Sequence, residues 1–199
     1  MKTFIGCLIL IALHSNCSTS EREGNATEST SKTQEDLRVI EKQTVTDTLK
    51  GSLKAKAMGT IGTTNISISY YSPAVRGRVI WGGLVPVDNV WVTGAHRATR
   101  IDFNKEIEIG GVSLTPGKYA LFTIPGKEEW TVIINKKWDQ HLTDNYSQKD
   151  DVVRVLVKKE EEELNQERLQ YIIQENTKKE GEINIYWEKV KVSIPIKVY

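Results

Sequence analysis

Arginine is concentrated in one stretch of this sequence. Four of the six arginines that follow residue 44 lie in it, at Arg76, Arg78, Arg97 and Arg100. The same stretch contains one acidic residue, Asp88, and no lysine. A guanidinium group can pair with a carboxylate or a phosphate through two parallel hydrogen bonds, so the stretch predicts a local site for an anionic ligand. The alternative is that these arginines pair within the protein, with Asp102, Glu106 or Glu108.

Histidine is scarce, because only His96 and His141 follow the first 16 residues. Together with Asp139 or Asp144 they have the composition of a two-histidine, one-carboxylate metal site, and with Asp139 they would suit a metal-assisted hydrolase. Hydrogen-bonded structural histidines in loops explain the same residues, and we favour that interpretation. Neither a G-x-S-x-G elbow nor an S-x-x-K motif is present. We therefore assign no catalytic residue, no metal and no cofactor, and expect a non-catalytic binding or structural module.

Tryptophan adds two candidate contact residues. Trp91 lies within the arginine stretch, and Trp138 lies in a polar segment beside Asp139, where its ring could stack on a ligand. Trp130 and Trp187 lie in alternating segments and are predicted to be core residues. The expected partner is an anionic small molecule, a glycan or an envelope protein. The complete predicted contact surface is Arg76, Arg78, Trp91, His96, Arg97, Arg100, Trp138 and His141.

The elements that must position these residues are strands. Ile66, Ile68 and Tyr70 alternate with serines, which is the two-residue period of a strand with one buried face. Residues 119–124 form a nearly continuous apolar run between turn residues, as in a strand covered on both faces. Many short segments of this kind, separated by Gly, Pro and Asn, predict an all-β fold for residues 44–199. We expect an antiparallel β-sandwich or barrel-like single domain of about ten short strands.

Three segments near the end of the chain need a specific interpretation. The charged run Lys158–Glu163 is predicted to be a solvated turn between strands. Residues 164–174 fit either a helix or a strand, and the surrounding strands favour a strand. Trp187 and Val190 can face the core together only if a bulge or tight turn lies at Glu188–Lys189.

The first residues predict export from the cytoplasm. Lys2 and the apolar residues 4–13 are typical of a signal peptide over residues 1–16, and the run is too short to span a bilayer. Cys17 follows at the position of a lipid-bearing lipoprotein cysteine, although cleavage after Ser20 is the alternative. Residues 18–43, rich in Ser, Thr and Glu, predict a flexible spacer. We therefore expect a domain in the cell envelope, anchored to the membrane by a lipid on Cys17.

Overall composition excludes several classes of function. The formal net charge is +1, so no global field draws the protein to nucleic acid. The two cysteines, Cys7 and Cys17, both belong to the first 17 residues, which leaves no disulfide and no thiol chemistry for the domain. Any electrostatic function must therefore be local.

Several motifs occur together in a recognisable order. They are YYSPAVRGRVIWGGLVP, VWVTGAHRATRIDF, LTPGKYALFTIPGKEEWTVIIN, WDQHL and the C-terminal WEKVKVSIPIKV. In these motifs the chain resembles the bacterial family known as domain of unknown function 2911, from about Leu53 to the C-terminus. The resemblance implies an exported or lipoprotein-type protein. It implies no activity, so no residue receives a catalytic role from it.

Overall fold

Buried side chains recur at every second position through most of the chain, and this alternation forms the strands. The computed structural model describes residues 48–199, so the predicted leader, Cys17 and the spacer lie outside the described residues. A short 3-10 helix, Gln148–Asp150, precedes the eighth strand, and no helix in the described part is long and apolar enough to cross a membrane. The nine strands are β1 (Leu53–Ile61), β2 (Thr64–Ser72), β3 (Thr99–Phe103), β4 (Ile107–Ile109), β5 (Val112–Leu114), β6 (Gly117–Ile124), β7 (Glu129–Asn135), β8 (Asp151–Glu175) and β9 (Glu180–Val198).

The nine strands form one open sheet in the order β1-β2-β3-β6-β7-β8-β9-β4-β5. Each pairing between neighbouring strands is antiparallel. The predicted all-β, antiparallel fold is therefore confirmed. Nine strands are close to the predicted number of about ten, and most are short, but β8 has 25 residues and β9 has 19.

Strand β8 changes partner along its length. Its first part pairs with β7 as far as Lys158, and from Lys159 onward it pairs with β9. The charged run Lys158–Glu163 lies inside this strand, so the predicted solvated turn is wrong. Charged side chains are tolerated there because that part of the strand is largely exposed and cross-strand ion pairs form, such as Lys191 with Glu160 at 3.1 Å.

The predicted strand over residues 164–174 and the predicted bulge at Glu188–Lys189 are both confirmed. Residues 164–174 belong to β8 and form a strand. Glu188 has a φ of 54°, and the register with β8 shifts on either side of its pairing with Gln166. This irregularity allows both Trp187 and Val190 to be buried, at 1% and 6% exposure.

The sheet bends so that its first strand packs on the later part of β8. A Cβ atom built on Gly59 of β1 would lie 2.7 Å from Cβ of Ile173 in β8, closer than real Cβ contacts allow. Glycine therefore permits the close approach of the two strands. The core lies between the two layers that this bend creates, as expected of a sandwich-like arrangement. It contains fully buried side chains such as Phe122 and Tyr171.

Four of the five tryptophans form a cluster in this core. Trp91 and Trp187 stack with ring centroids 5.7 Å apart and an interplanar angle of 18°. Trp81 meets Trp130 edge to face at 4.9 Å and Trp187 at 5.8 Å. Such aromatic pairs contribute roughly 0.5–1.5 kcal/mol beyond the area that they bury. The cluster joins β7, β9 and the long connection between β2 and β3.

Candidate functional site

Two loops that are distant in sequence meet beside the start of β3. The Leu142 N–H donates to the carbonyl of His96 at 2.8 Å. Arg97 and His141 pair as an isolated antiparallel bridge. Trp138 belongs to the same second loop. With Arg100 of β3, whose guanidinium lies over the Trp138 ring, the structure brings together five of the eight predicted contact residues.

The second loop is held by a polar network at its base. The side-chain amide of Asn135 donates to Asp151 Oδ1 at 2.7 Å and to the Ser147 carbonyl at 3.1 Å, and its oxygen accepts from Lys137 N–H at 2.8 Å. The Tyr146 hydroxyl donates to Asp151 Oδ2 at 2.8 Å. Burial and the neighbouring Asp151 carboxylate raise the pKa of Tyr146 to about 12, so the phenol remains a donor at neutral pH.

The two arginines of this region each pair with a carboxylate but stay accessible. Arg97 forms an ion pair with Asp139, and their side chains are 53% and 64% exposed. Arg100 Nε donates to Asp102 Oδ2 at 2.8 Å, which confirms one of the internal partners expected from the sequence. Exposed pairs of this kind contribute little stability. Since a guanidinium group has five N–H donors, both arginines keep donors for a ligand.

Trp138 lies against two cations. The guanidinium carbon of Arg100 is 5.4 Å from the Trp138 ring centroid, and Lys118 Nζ is 5.2 Å from it. Both distances are within cation–π range. The ring is half-buried, so it is an aromatic surface held in place by charge.

Strands β1 and β2 add cations that the sequence analysis missed. Lys54 pairs across the strands with Tyr71, and Lys56 pairs with Ser69, which pairs in turn with Arg100 of β3. Their side chains line a cleft of 310 Å³ together with the two loops. We call this the basic cleft. Its lining includes Lys54, Lys56, Tyr71, Arg97, Arg100, Trp138 and Asp139.

The basic cleft has a clear excess of positive charge. Its lining contains four cations and one carboxylate, Asp139. A volume of this size accommodates one small molecule or one unit of a larger ligand. The alternation of Lys54 and Lys56 with alanines in the sequence indicated that both lysines share the exposed face of a strand. It did not indicate which strand would lie beside them.

The two histidines do not form a metal site. His141 Nδ1 lies 2.9 Å from Asp144 Oδ2, whereas Asp139 pairs with Arg97. His96 has a φ of 60° and its ring meets the edge of Tyr71 at 5.0 Å. Within residues 48–199, no three His, Cys, Asp or Glu side chains are grouped closely enough to hold a metal ion. The alternative prediction of a metal centre is therefore not supported, because each group has a different neighbour.

Arg76 and Arg78 lie outside the basic cleft, in the turn after β2. Arg78 donates from Nε to the Val75 carbonyl at 3.2 Å and from a terminal nitrogen to the Ala74 carbonyl at 2.6 Å. The backbone N–H of Arg76 donates to Glu167 Oε1 at 2.8 Å. The bond to Glu167 fastens the turn to β8, and the structure places Arg76 and Arg78 apart from the cleft that Arg97 and Arg100 line.

Trp91, another predicted contact residue, is buried in the core. Its side chain is 9% exposed and stacks on Trp187 in the core. Its indole N–H donates to the Gly94 carbonyl at 3.1 Å, which satisfies its only donor. The structure therefore places Trp91 in the core and outside the lining of the basic cleft.

The fold and the cleft define an all-β protein with a small cationic surface on an open antiparallel sheet. Residues 52–196 match a sequence family described as a protein of unknown function, DUF2911, and the chain belongs to this family. No curated protein and no solved structure matches the chain.

Proposed function

We propose that this protein is a non-catalytic binding module whose basic cleft takes an anionic group, a carboxylate or a phosphate, of a small molecule or glycan. The observation that carries this proposal is the convergence of four cations on one cleft from separate parts of the chain. Lys54 and Lys56 come from β1, Arg97 comes from the loop before β3, and Arg100 comes from β3. Tyr71 and Trp138 supply two aromatic surfaces beside them.

Reversing the charge of the two lysines tests this proposal. We expect Lys54→Glu/Lys56→Glu to reduce binding of glucuronate and of glucose 6-phosphate at least tenfold, because the cleft then has more carboxylates than cations. The measurement is a titration followed by amide chemical shifts in NMR, with glucose as the neutral probe. Both lysines are on the exposed face of an edge strand, so the fold should tolerate the change.

The matched control is Lys127→Glu/Lys149→Glu, two exposed lysines outside the cleft. It changes the net charge by the same amount and should leave binding unaltered. An equal loss of affinity for the anionic sugars in the two variants would show that only net charge matters. Binding of glucose as tight as that of glucuronate would contradict an anion site.

We also propose that the domain is displayed outside the cytoplasm on a lipid attached to Cys17. The apolar residues 4–13, followed by Cys17 and a polar spacer, support this placement. We expect Cys17→Ser to move the protein from the membrane fraction to the soluble fraction of a bacterial host that processes lipoproteins. Cys7→Ser, a cysteine within the apolar run, is the control and should stay with the membrane. Retention of the Cys17→Ser protein in the membrane would contradict the lipid anchor.

A further inference from the structure

A second and larger cleft lies beside the basic cleft. Its volume is 1090 Å³, and its lining combines apolar side chains such as Met58 and Phe103 with polar uncharged ones. We call it the amide cleft, after Asn65, Asn104 and Gln174, which line it with Thr60 and Ser67. Nothing described so far uses this cleft.

The two clefts occupy successive rows of one sheet face. Lys56, Ser69 and Arg100 are paired across β1, β2 and β3, and all three line the basic cleft. The next row on the same face is Ser67 and Asp102, which line the amide cleft. From Lys54 to Thr60 the face extends about 20 Å along β1, at roughly 3.3 Å per residue.

The middle of this face has short side chains and lies beside an aromatic ring. Ser67 and Ser69 have small side chains, so little obstructs passage between the clefts. Trp138 stands at the junction, because Arg100 of the basic cleft and Lys118 of the amide cleft both lie against its ring. A ligand that occupied both clefts would therefore cross the serines beside Trp138.

The amide cleft offers hydrogen-bond donors and little net charge. Asn65 Oδ1 accepts from the Thr60 hydroxyl at 3.0 Å, and Asn104 Oδ1 accepts from the Asn65 N–H at 2.8 Å. Among residues 48–199, no partner of either side-chain NH₂ group is observed, so both remain available as donors. Lys178 in this cleft is paired with Glu175 at 2.8 Å.

We propose that the two clefts form one groove for an acidic oligosaccharide, with a uronic carboxylate in the basic cleft and neutral sugar hydroxyls on the amide cleft. This inference rests on the proposed function and names its ligand class. Glycans are extended, rich in hydroxyls and able to stack on an aromatic ring, which matches the length, the amides and Trp138. A nucleic acid strand would need an excess of cations along the whole groove, but at the amide end Asp102 and Glu175 balance the two lysines.

The test compares one acidic sugar with an oligosaccharide that contains it. We expect glucuronosyl-xylotriose to bind at least tenfold more tightly than glucuronate by isothermal titration calorimetry. Xylotetraose, which lacks the carboxylate, should bind more weakly than glucuronosyl-xylotriose. Ser67→Tyr should reduce the affinity for glucuronosyl-xylotriose to that for glucuronate, because the ring blocks passage between the clefts, and should leave glucuronate binding unchanged.

Thr131→Tyr places the same side chain on β7, outside both clefts, and is the matched control. Gln174→Ala provides a second variant that makes no steric demand and should weaken only the oligosaccharide. If glucuronate binds and glucuronosyl-xylotriose binds no more tightly, the extended groove is overturned and the anion site stands. If both oligosaccharides bind equally and Lys54→Glu/Lys56→Glu has no effect, the anion site is overturned instead.

Discussion

Replacement of Trp187 by alanine is expected to lower the free energy of unfolding by about 3–5 kcal/mol. The side chain is 1% exposed and contacts two other tryptophans of the core cluster, Trp81 at 5.8 Å and Trp91 at 5.7 Å between ring centroids. Removing it leaves a cavity that the stacked ring of Trp91 cannot fill. Since whole domains are stable by only about 5–15 kcal/mol, this single change removes a large share of the total. Urea unfolding followed by circular dichroism measures the loss.

The control is Trp138→Ala, which removes the one tryptophan outside the cluster. Its ring is half-buried in a loop, so we expect a loss of about 1 kcal/mol or less. Trp187→Phe should fall between the two, because it keeps an aromatic ring and deletes a buried indole N–H that has no hydrogen-bond partner among the described residues. Equal losses for Trp187→Ala and Trp138→Ala would contradict a core role for the cluster.

The second large effect is expected at alkaline pH. Burial raises the pKa of Tyr70 to about 12 and also raises that of Tyr171, whose hydroxyl donates to the Thr93 carbonyl at 2.6 Å. An unfolded tyrosine titrates near pH 10. Above about pH 10 the unfolded chain releases phenol protons that the folded protein retains, so the free energy of unfolding falls as the pH rises toward 12. Below pH 10 this contribution is fully present.

For Tyr70 alone the loss across this window is about 2–3 kcal/mol, from a pKa difference of about two. Urea unfolding at a series of pH values between 8 and 11.5 measures the slope. Tyr70→Phe should reduce the slope, because the phenylalanine has no proton to release. A wild-type slope equal to that of Tyr70→Phe would contradict titration of Tyr70 as the cause.

Much of the fold could be predicted from the sequence, because buried and more exposed positions alternate in strands such as β2 and β3. Ile66, Ile68 and Tyr70 are all buried, and the bulge at Glu188 follows from two buried residues an odd number of positions apart. Strand β8 could not be predicted through Lys158–Glu163. A charged run has no alternation to read, and its extended form is stabilised by pairing with β9, which is remote in sequence.

The candidate site was predictable only in part. Arg97, Arg100 and Trp138 were recognised by residue type, and the structure places them around one cleft. Arg78 could not be separated from them, because its hydrogen bonds to carbonyls of its own turn depend on local backbone geometry. Lys54 was missed because its role depends on β3 lying next to β2, an arrangement that the spacing of single strands does not reveal.

The order of the strands also determines when the domain can fold during synthesis. Strand β4, near the middle of the chain, pairs with the end of β9 through Ile107 and Val198. The later part of β8 likewise has β9 as its sheet neighbour. Because Ile107 and Val198 are far apart in sequence, their pairing is a long-range contact that forms slowly. Strand β4 therefore cannot complete its pairing in the sheet until residue 198 has been synthesised, so this part of the sheet is expected to form late in folding.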